Sequence, residues 1–248
     1  MKNYKMKIAY DGKRYMGFKK DKFADDKSIN GKMSNILKKL YTVDVDLVSA
    51  VNTGADVHAT HQIVNFKAPN DKLDMEAIHK YFENYLPDDI IVLEIEEVDE
   101  RFQSRFLLKN LTYQYRIWKS DAPRRPLFER NYVNVMQTPL NVEMMKEAAT
   151  LLEGEHDFAA FTTNPKIRNS EKEMISIEID ETETEIVITM KATGFLLNME
   201  RLIPGTLIQV GLGERTVSSI LRALDTQDMK DAGHKAMAPA ITLTNIEY

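Results

Sequence analysis

The chain has 248 residues, 43% of them hydrophobic and 29% charged, which is enough apolar material for a sizeable core and enough length for two small domains. It contains no cysteine, so disulfides and thiolate metal sites are excluded; no run approaches the roughly 20 apolar residues of a membrane span, the first ten residues lack the apolar core of a signal peptide, and a cytoplasmic protein is expected. The net charge is −5, but the first forty residues hold twelve Lys/Arg against four Asp, net +8, and the remainder is −13, a polarity that can focus a positive field for a phosphate backbone or be only a solvated lysine-rich surface.

Tyr4 to Tyr10 alternates apolar and polar residues and predicts a strand. Ser28 is a helix cap, after which Ile29, Met33, Ile36, Leu37 and Leu40 share one helical face. Val43 to Ala50 and His61 to Phe66 predict strands around a loop, Val51 to Thr60. Asp74 to Tyr85 carries a helical stripe of Met75, Ile78, Phe82 and Tyr85, broken at Leu86-Pro87. Ile90 to Val98 and Leu111 to Lys119 predict further strands, with a boundary between halves near Arg105 to Asn110, giving domains 1–107 and 108–248. Val142, Met145, Ala149 and Leu152 stripe a helix expected to end near Gly154. Ile175 to Ile179 and Glu185 to Ala192 predict a strand pair. Phe195 to Val210 predicts an apolar helix that Pro204 kinks or splits. Val217 to Leu224 predicts a short helix and Ile241 to Tyr248 a last strand. Strands and helices mix in both halves without regular βαβ alternation, which predicts an α+β fold with helices packed on a largely antiparallel sheet.

Several spaced segments form a second pattern. They are Tyr10-Asp11-Gly12 with Tyr15, Gly17 and Phe18, then Thr53 with Val57-His58-Ala59, then Leu86-Pro87 with Asp89-Ile90. Further on come Phe102-Gln103-Ser104-Arg105-Phe106, Thr112-Tyr113-Gln114-Tyr115-Arg116-Ile117 and Gly154-Glu155-His156-Asp157-Phe158. The last are Phe195 with Met199 and Arg201, Gly205-Thr206-Leu207, Val210-Gly211, and Ala238-Pro239-Ala240. In this order and spacing they resemble the YDG, GRTDAGVHA, LP-x-DI, FHARF, TYRYRI, GxHDF, F-x-x-x-M-x-R and APA segments of the tRNA pseudouridine synthase A family, over nearly the whole chain. The resemblance implies two related ferredoxin-like halves sharing a sheet (the pseudouridine synthase fold), a homodimer, and a basic cleft for a tRNA anticodon arm. It implies no metal and no organic cofactor.

The family isomerises uridine to pseudouridine: uracil leaves its ribose, turns, and is rejoined through carbon. A flipped base, a carboxylate acting as nucleophile or base, a cation that keeps the carboxylate ionised and a stacking aromatic are what this chemistry uses. By the resemblance, Tyr113 is the stacking ring and Arg201 the cation. The catalytic aspartate position is Gly54, the loop arginine position is Asn52, and the family's glycine two residues on is Asp56. Gly54 offers no nucleophile and no proton acceptor. Asp56 is the nearby acid that could serve if the loop slipped by two residues, and otherwise reads as a turn residue that tolerates positive φ. Arg201 is expected to pair with Asp56, with Glu200 or with a phosphate. Tyr113 also reads as a core aromatic on a strand. Asp56, His58 and His61 form D-x-H-x-x-H, a conceivable metal pattern, although His58 matches a metal-free loop in the family. Asn52, His58, Lys13, Arg14, Lys19, Lys20, Lys166 and Arg168 are candidate RNA contacts, each lysine also readable as solvated surface. Three readings stay open at this point: an RNA uridine isomerase using Asp56, an inactive tRNA-binding paralogue, and a protein–protein scaffold.

Overall fold

The computed structural model describes residues 1–19, 25–70 and 72–248. The chain divides into two compact units, Met1–Lys109 together with Leu243–Tyr248, and Asn110–Thr242.

In the first unit β1 (Asn3–Tyr10) buries Tyr4, Met6, Ile8 and Tyr10, the side-chain alternation of a strand with one covered face. Helix α1 (Ile29–Tyr41) begins where the Ser28 hydroxyl accepts from the Gly31 N–H at 3.0 Å and stops at Thr42, at φ 62, a left-handed residue that cannot continue a helix. Its predicted stripe is buried at Ile29, Met33, Ile36 and Leu37. Next come β2 (Leu47–Ser49), β3 (His58–Lys67), α2 (Met75–Tyr85, capped by Asp74) and β4 (Ile90–Val98). Strand β1 lies between β3 and β4, antiparallel to both, and β2 pairs antiparallel with β3. Helix α2 packs against β4.

In the second unit β5 (Asn110–Trp118) buries Leu111, Tyr113, Tyr115 and Ile117 along one face. After β6 (Asn134–Val135), α3 (Val142–Thr150) starts at Asn141, whose carboxamide accepts from the Met144 N–H at 3.1 Å. Then follow β7 (Gly154–Asp157), β8 (Glu171–Glu181), β9 (Glu185–Ala192), α4 (Met199–Gly211) and α5 (Ser219–Thr226). The order is β5-β9-β8-β7. All of these pairs are antiparallel, and β6 joins β5 in parallel. Helix α3 packs on β8 and on α4. The last strand, β10 (Ile241–Glu247), lies beside β3. Tyr248 finishes the chain by donating its hydroxyl to the Ser104 carbonyl at 2.7 Å.

The α+β class, with helices on antiparallel sheet, thus holds in each unit. Several details differ from expectation, among them that β3 begins at His58, inside the expected loop. Strand β2 covers only Leu47–Ser49, because Thr42 turns the chain out of α1 and the residues up to Asp46 stay irregular. Gly154 opens β7 at φ 101 and does not merely end α3. Phe195 to Asn198 lie outside α4, because Asn198 sits at φ 64 and donates its amide to Thr163 Oγ1 at 2.6 Å. Pro204 neither splits nor ends α4, which runs through it to Gly211.

Candidate active-site loop

The loop between β2 and β3 is tied into the first unit at almost every residue. The Ala50 N–H donates to the Ile63 carbonyl at 2.8 Å, and the Val51 carbonyl accepts from the Gln62 carboxamide at 3.0 Å. The Thr53 hydroxyl meets the Tyr10 hydroxyl at 2.7 Å, and the Thr53 carbonyl accepts from the Phe18 N–H at 3.0 Å. The Asp56 N–H donates to the Tyr15 carbonyl, and the Val57 N–H closes a turn on the Gly54 carbonyl, each at 3.3 Å. Burial raises the Tyr10 hydroxyl to about 12, against the lowering effect of its Thr53 and Gln62 hydrogen bonds. It therefore stays a neutral, bonded phenol.

This lattice explains several motif residues. A Cβ on Gly12 would collide with the Val57 carbonyl oxygen. Gly17 sits at φ 105, and a Cβ there would lie 2.7 Å from the Thr53 carbonyl; only glycine fits either place without displacing backbone. His58 is 5% exposed. Its Nδ1 lies 3.1 Å from the Gly12 nitrogen and 3.0 Å from Asp11 Oδ1. A bare Nδ1 accepts from Gly12, and a protonated one donates to Asp11. Asp89 receives the Tyr15 hydroxyl at 2.6 Å and Arg14 Nε at 2.9 Å. The YDG, VHA and LP-x-DI segments therefore act together as the frame of the loop.

Within that frame Asp56 takes the third position of the turn at φ 62, the left-handed place that glycine fills in a type II turn. Gly54 is exposed and has an ordinary φ; a Cβ built on it meets only Val57 Cγ2, at 3.9 Å. The backbone at 54 thus accepts a side chain, although the sequence supplies none.

In the second unit Tyr113 lies on β5, opposite Met190 of β9, 4% exposed. Phe195 stands edge-on to it, ring centres 5.0 Å apart at 81°. Arg201, in the first turn of α4, donates Nε to the Ala236 carbonyl at 2.8 Å, while its own carbonyl accepts from the Ala236 N–H at 3.1 Å. Among the described residues it makes no ion pair. The expected pairing with Glu200 is absent. Glu200 is 8% exposed, and burial lifts its carboxyl to about 7, against weaker lowering by its own N–H, Arg201 and Lys235. A carboxyl raised that far is only partly ionised near neutral pH and is a weak counter-ion.

The candidate RNA contacts fall in different places. Lys13 and Lys19 are exposed beside the loop frame, and Arg14 is held by Asp89. Lys19 and Asn52 line one groove of about 370 Å³ between α1 and β2. Lys20 lies outside the described residues. Lys166 and Arg168 are exposed in a loop of the second unit. The D-x-H-x-x-H reading finds no support. His58 Nδ1 is taken up by Gly12 and Asp11, and among the described residues no group of three His/Asp/Glu side chains is placed to hold a metal. The structural roles of Asp11, Gly12, Gly17 and Asp89 went unassigned in the sequence reading; glycines and aspartates clustered beside a strand end are the signal that points to such turns.

A family model described as tRNA pseudouridine synthase matches residues 148–248. The chain is similar to tRNA pseudouridine synthase A 2 of Bacillus cereus, 35% identical over 249 residues and 100% of both chains. It is likewise similar to tRNA pseudouridine synthase A 2 of Clostridium perfringens and to tRNA pseudouridine synthase A of a Thermoanaerobacter species, each 34% identical over the full length of both chains. With relatives of that identity along its whole length, the chain belongs to the tRNA pseudouridine synthase A family.

Proposed function

We propose that this tRNA pseudouridine synthase A-like protein binds the anticodon arm of tRNA as a homodimer and does not isomerise uridine. Gly54 carries this reading. The family reaction uses a carboxylate beside the ribose and base, and a hydrogen atom supplies neither a nucleophile nor a proton acceptor. Asp56 does not replace it. Moving Asp56 to the place of residue 54 means sliding the loop by two residues, up to roughly 7 Å. That slide breaks the bonds at Val51, Thr53, Asp56 and Val57 together. At about 0.5–1.5 kcal/mol each, their loss is a large fraction of a domain's stability. Asp56 is a turn residue. Arg201 remains suited to a bound nucleotide, since among the described residues its guanidinium has no carboxylate partner; Tyr113 is buried against Phe195 and stacks on a base only if that ring packing opens. His58 belongs to the loop frame, while Lys13, Lys19, Lys166 and Arg168 are exposed cations available to phosphates.

The test uses purified protein and an unmodified tRNA transcript, with pseudouridine read by mass spectrometry and binding by gel shift. Salt-sensitive binding with no pseudouridine, and an Asp56→Ala variant that binds equally, are expected. Pseudouridine that appears with the wild type and vanishes with Asp56→Ala would establish an enzyme working through Asp56. No binding at any salt concentration would leave a scaffold. Sedimentation of the free protein reads the dimer.

A further inference from the structure

We infer that the groove between α1 and β2 is a nucleotide subsite. In it Arg105 and Lys19 hold a phosphodiester of a bound single-stranded RNA segment, and the neighbouring Phe106 stacks on a base. The inference rests on the reading that the chain binds tRNA, and gives that binding a location in the first unit.

The groove is lined by Lys19, Asn30, Ser34, Asn52, Arg105 and the rim acids Asp44 and Asp46, among others, and its volume of about 370 Å³ falls in the range of small-ligand sites, roughly 300–1,000 Å³. Its charges are unequal in a useful way. Asp44 is neutralised by Lys38 at 2.9 Å. Among the described residues Lys19 and Arg105 make no hydrogen bond or ion pair, and neither does Asp46. Among the described residues, two unpaired cations thus face one unpaired acid. The Asn52 carboxamide oxygen accepts from the Ser49 hydroxyl at 3.3 Å, which turns its amide donors away from Ser49. Guanidinium, ammonium and amide donors around a concave surface are the chemistry that recognises a phosphate.

Arg105 is also deliberately presented. The preceding residue, Ser104, is fully buried; its N–H donates to Asn65 Oδ1 at 2.8 Å and its hydroxyl to the Val48 carbonyl at 2.9 Å. The Tyr248 hydroxyl then bonds the Ser104 carbonyl. This anchor leaves Arg105 exposed, followed by Phe106 at 62% exposure and by Leu107 at φ 71. A leucine in the left-handed region is strained by about 1–3 kcal/mol, and such strain gathers at ligand-holding segments. An exposed phenylalanine beside an unpaired arginine suits a single strand, where every base offers a face for stacking and the backbone seeks cations.

The test measures binding of unmodified tRNA and of a uridine hexanucleotide across a salt series, for the wild type and for Arg105→Ala, Arg105→Lys, Phe106→Ala and Ser34→Trp. Lys80→Ala, an exposed lysine on α2, is the control, and circular dichroism verifies folding of each. Arg105→Ala is expected to weaken both ligands about tenfold and to flatten the salt slope by about 0.7–0.9, with Arg105→Lys recovering the slope. Ser34→Trp fills the groove without changing charge and is expected to weaken the hexanucleotide, as is Phe106→Ala, while Lys80→Ala binds as the wild type. Folded variants that all match wild-type affinity and slope overturn the subsite while leaving tRNA binding intact; a wild type that binds no RNA overturns the functional reading itself.

Discussion

Position 54 makes the sharpest residue-scale statement. Its φ is ordinary, and a Cβ finds only Val57 Cγ2 at 3.9 Å. An aspartate therefore enters without strain, and replacing glycine at a compatible φ stabilises by about 0.4–1 kcal/mol through the unfolded chain. We expect Gly54→Asp to keep or slightly raise the melting temperature and to confer measurable pseudouridine formation on tRNA, with Asn52→Arg added to it raising the rate further. A well-folded Gly54→Asp protein that binds tRNA and yields no pseudouridine would mean that more than the acid has been lost. The glycine at 54 is legible in the sequence; the φ of 62 at Asp56 and the bonds from Tyr10, Tyr15 and Phe18 that hold its loop exist only in the folded chain.

A second residue-scale prediction concerns Glu200. Its carboxyl is raised to about 7 from an ordinary 4.5, chiefly by burial. The folded state therefore binds more protons than the unfolded state between those values, and stability falls as pH rises through that window. The full effect is roughly 3 kcal/mol at 1.36 per pH unit. Glu200→Gln is expected to leave stability near pH 4.5 almost unchanged and to raise it by up to about that amount at pH 8. Urea titrations of both proteins at the two pH values measure it; equal pH dependence in the two would show that Glu200 ionises normally.

Among the elements, the turn after β1 is held by Asp89 against Tyr15 and Arg14. Arg14 is 73% exposed on its side chain, so solvent screens its ion pair with Asp89 and the pair contributes little. The Tyr15 hydroxyl lies half-buried on Asp89 at 2.6 Å, and losing its partner costs more. Asp89→Ala is expected to destabilise by about 1–3 kcal/mol, and Arg14→Ala by clearly less, in chemical denaturation. An Arg14→Ala loss equal to that of Asp89→Ala would shift the weight to the ion pair. Most elements were legible because their signals are local: alternation in β1, the Ser28 cap with the stripe that follows it, and the Asp74 cap, although of its expected stripe only Ile78 and Phe82 are buried while Met75 and Tyr85 are exposed. Those that escaped depend on distant partners. Strand β7 is four residues long and is defined by its ladder to β8. The start of α4 is set by Thr163, thirty-five residues away, through Asn198.

For the whole molecule, the overall charge of −5 argues against an RNA partner while its distribution argues for one. Long-range repulsion from the acidic remainder is screened beyond about 8–10 Å at ordinary ionic strength, whereas cations within contact distance of phosphates release counterions whatever the net charge. Binding is therefore expected to follow the local lysines and arginines. With about five phosphates neutralised, the logarithm of the association constant falls with a slope near −4 against the logarithm of salt concentration, and tRNA affinity drops roughly a hundredfold or more between about 50 and 200 mM salt. A salt titration by fluorescence anisotropy measures the slope directly. A slope near zero would mean that the positive first forty residues are ordinary solvated surface, and any tRNA affinity would then have to come from stacking and neutral hydrogen bonds. The expected steep slope would set phosphate contact as the main source of affinity in a protein whose overall sign opposes it.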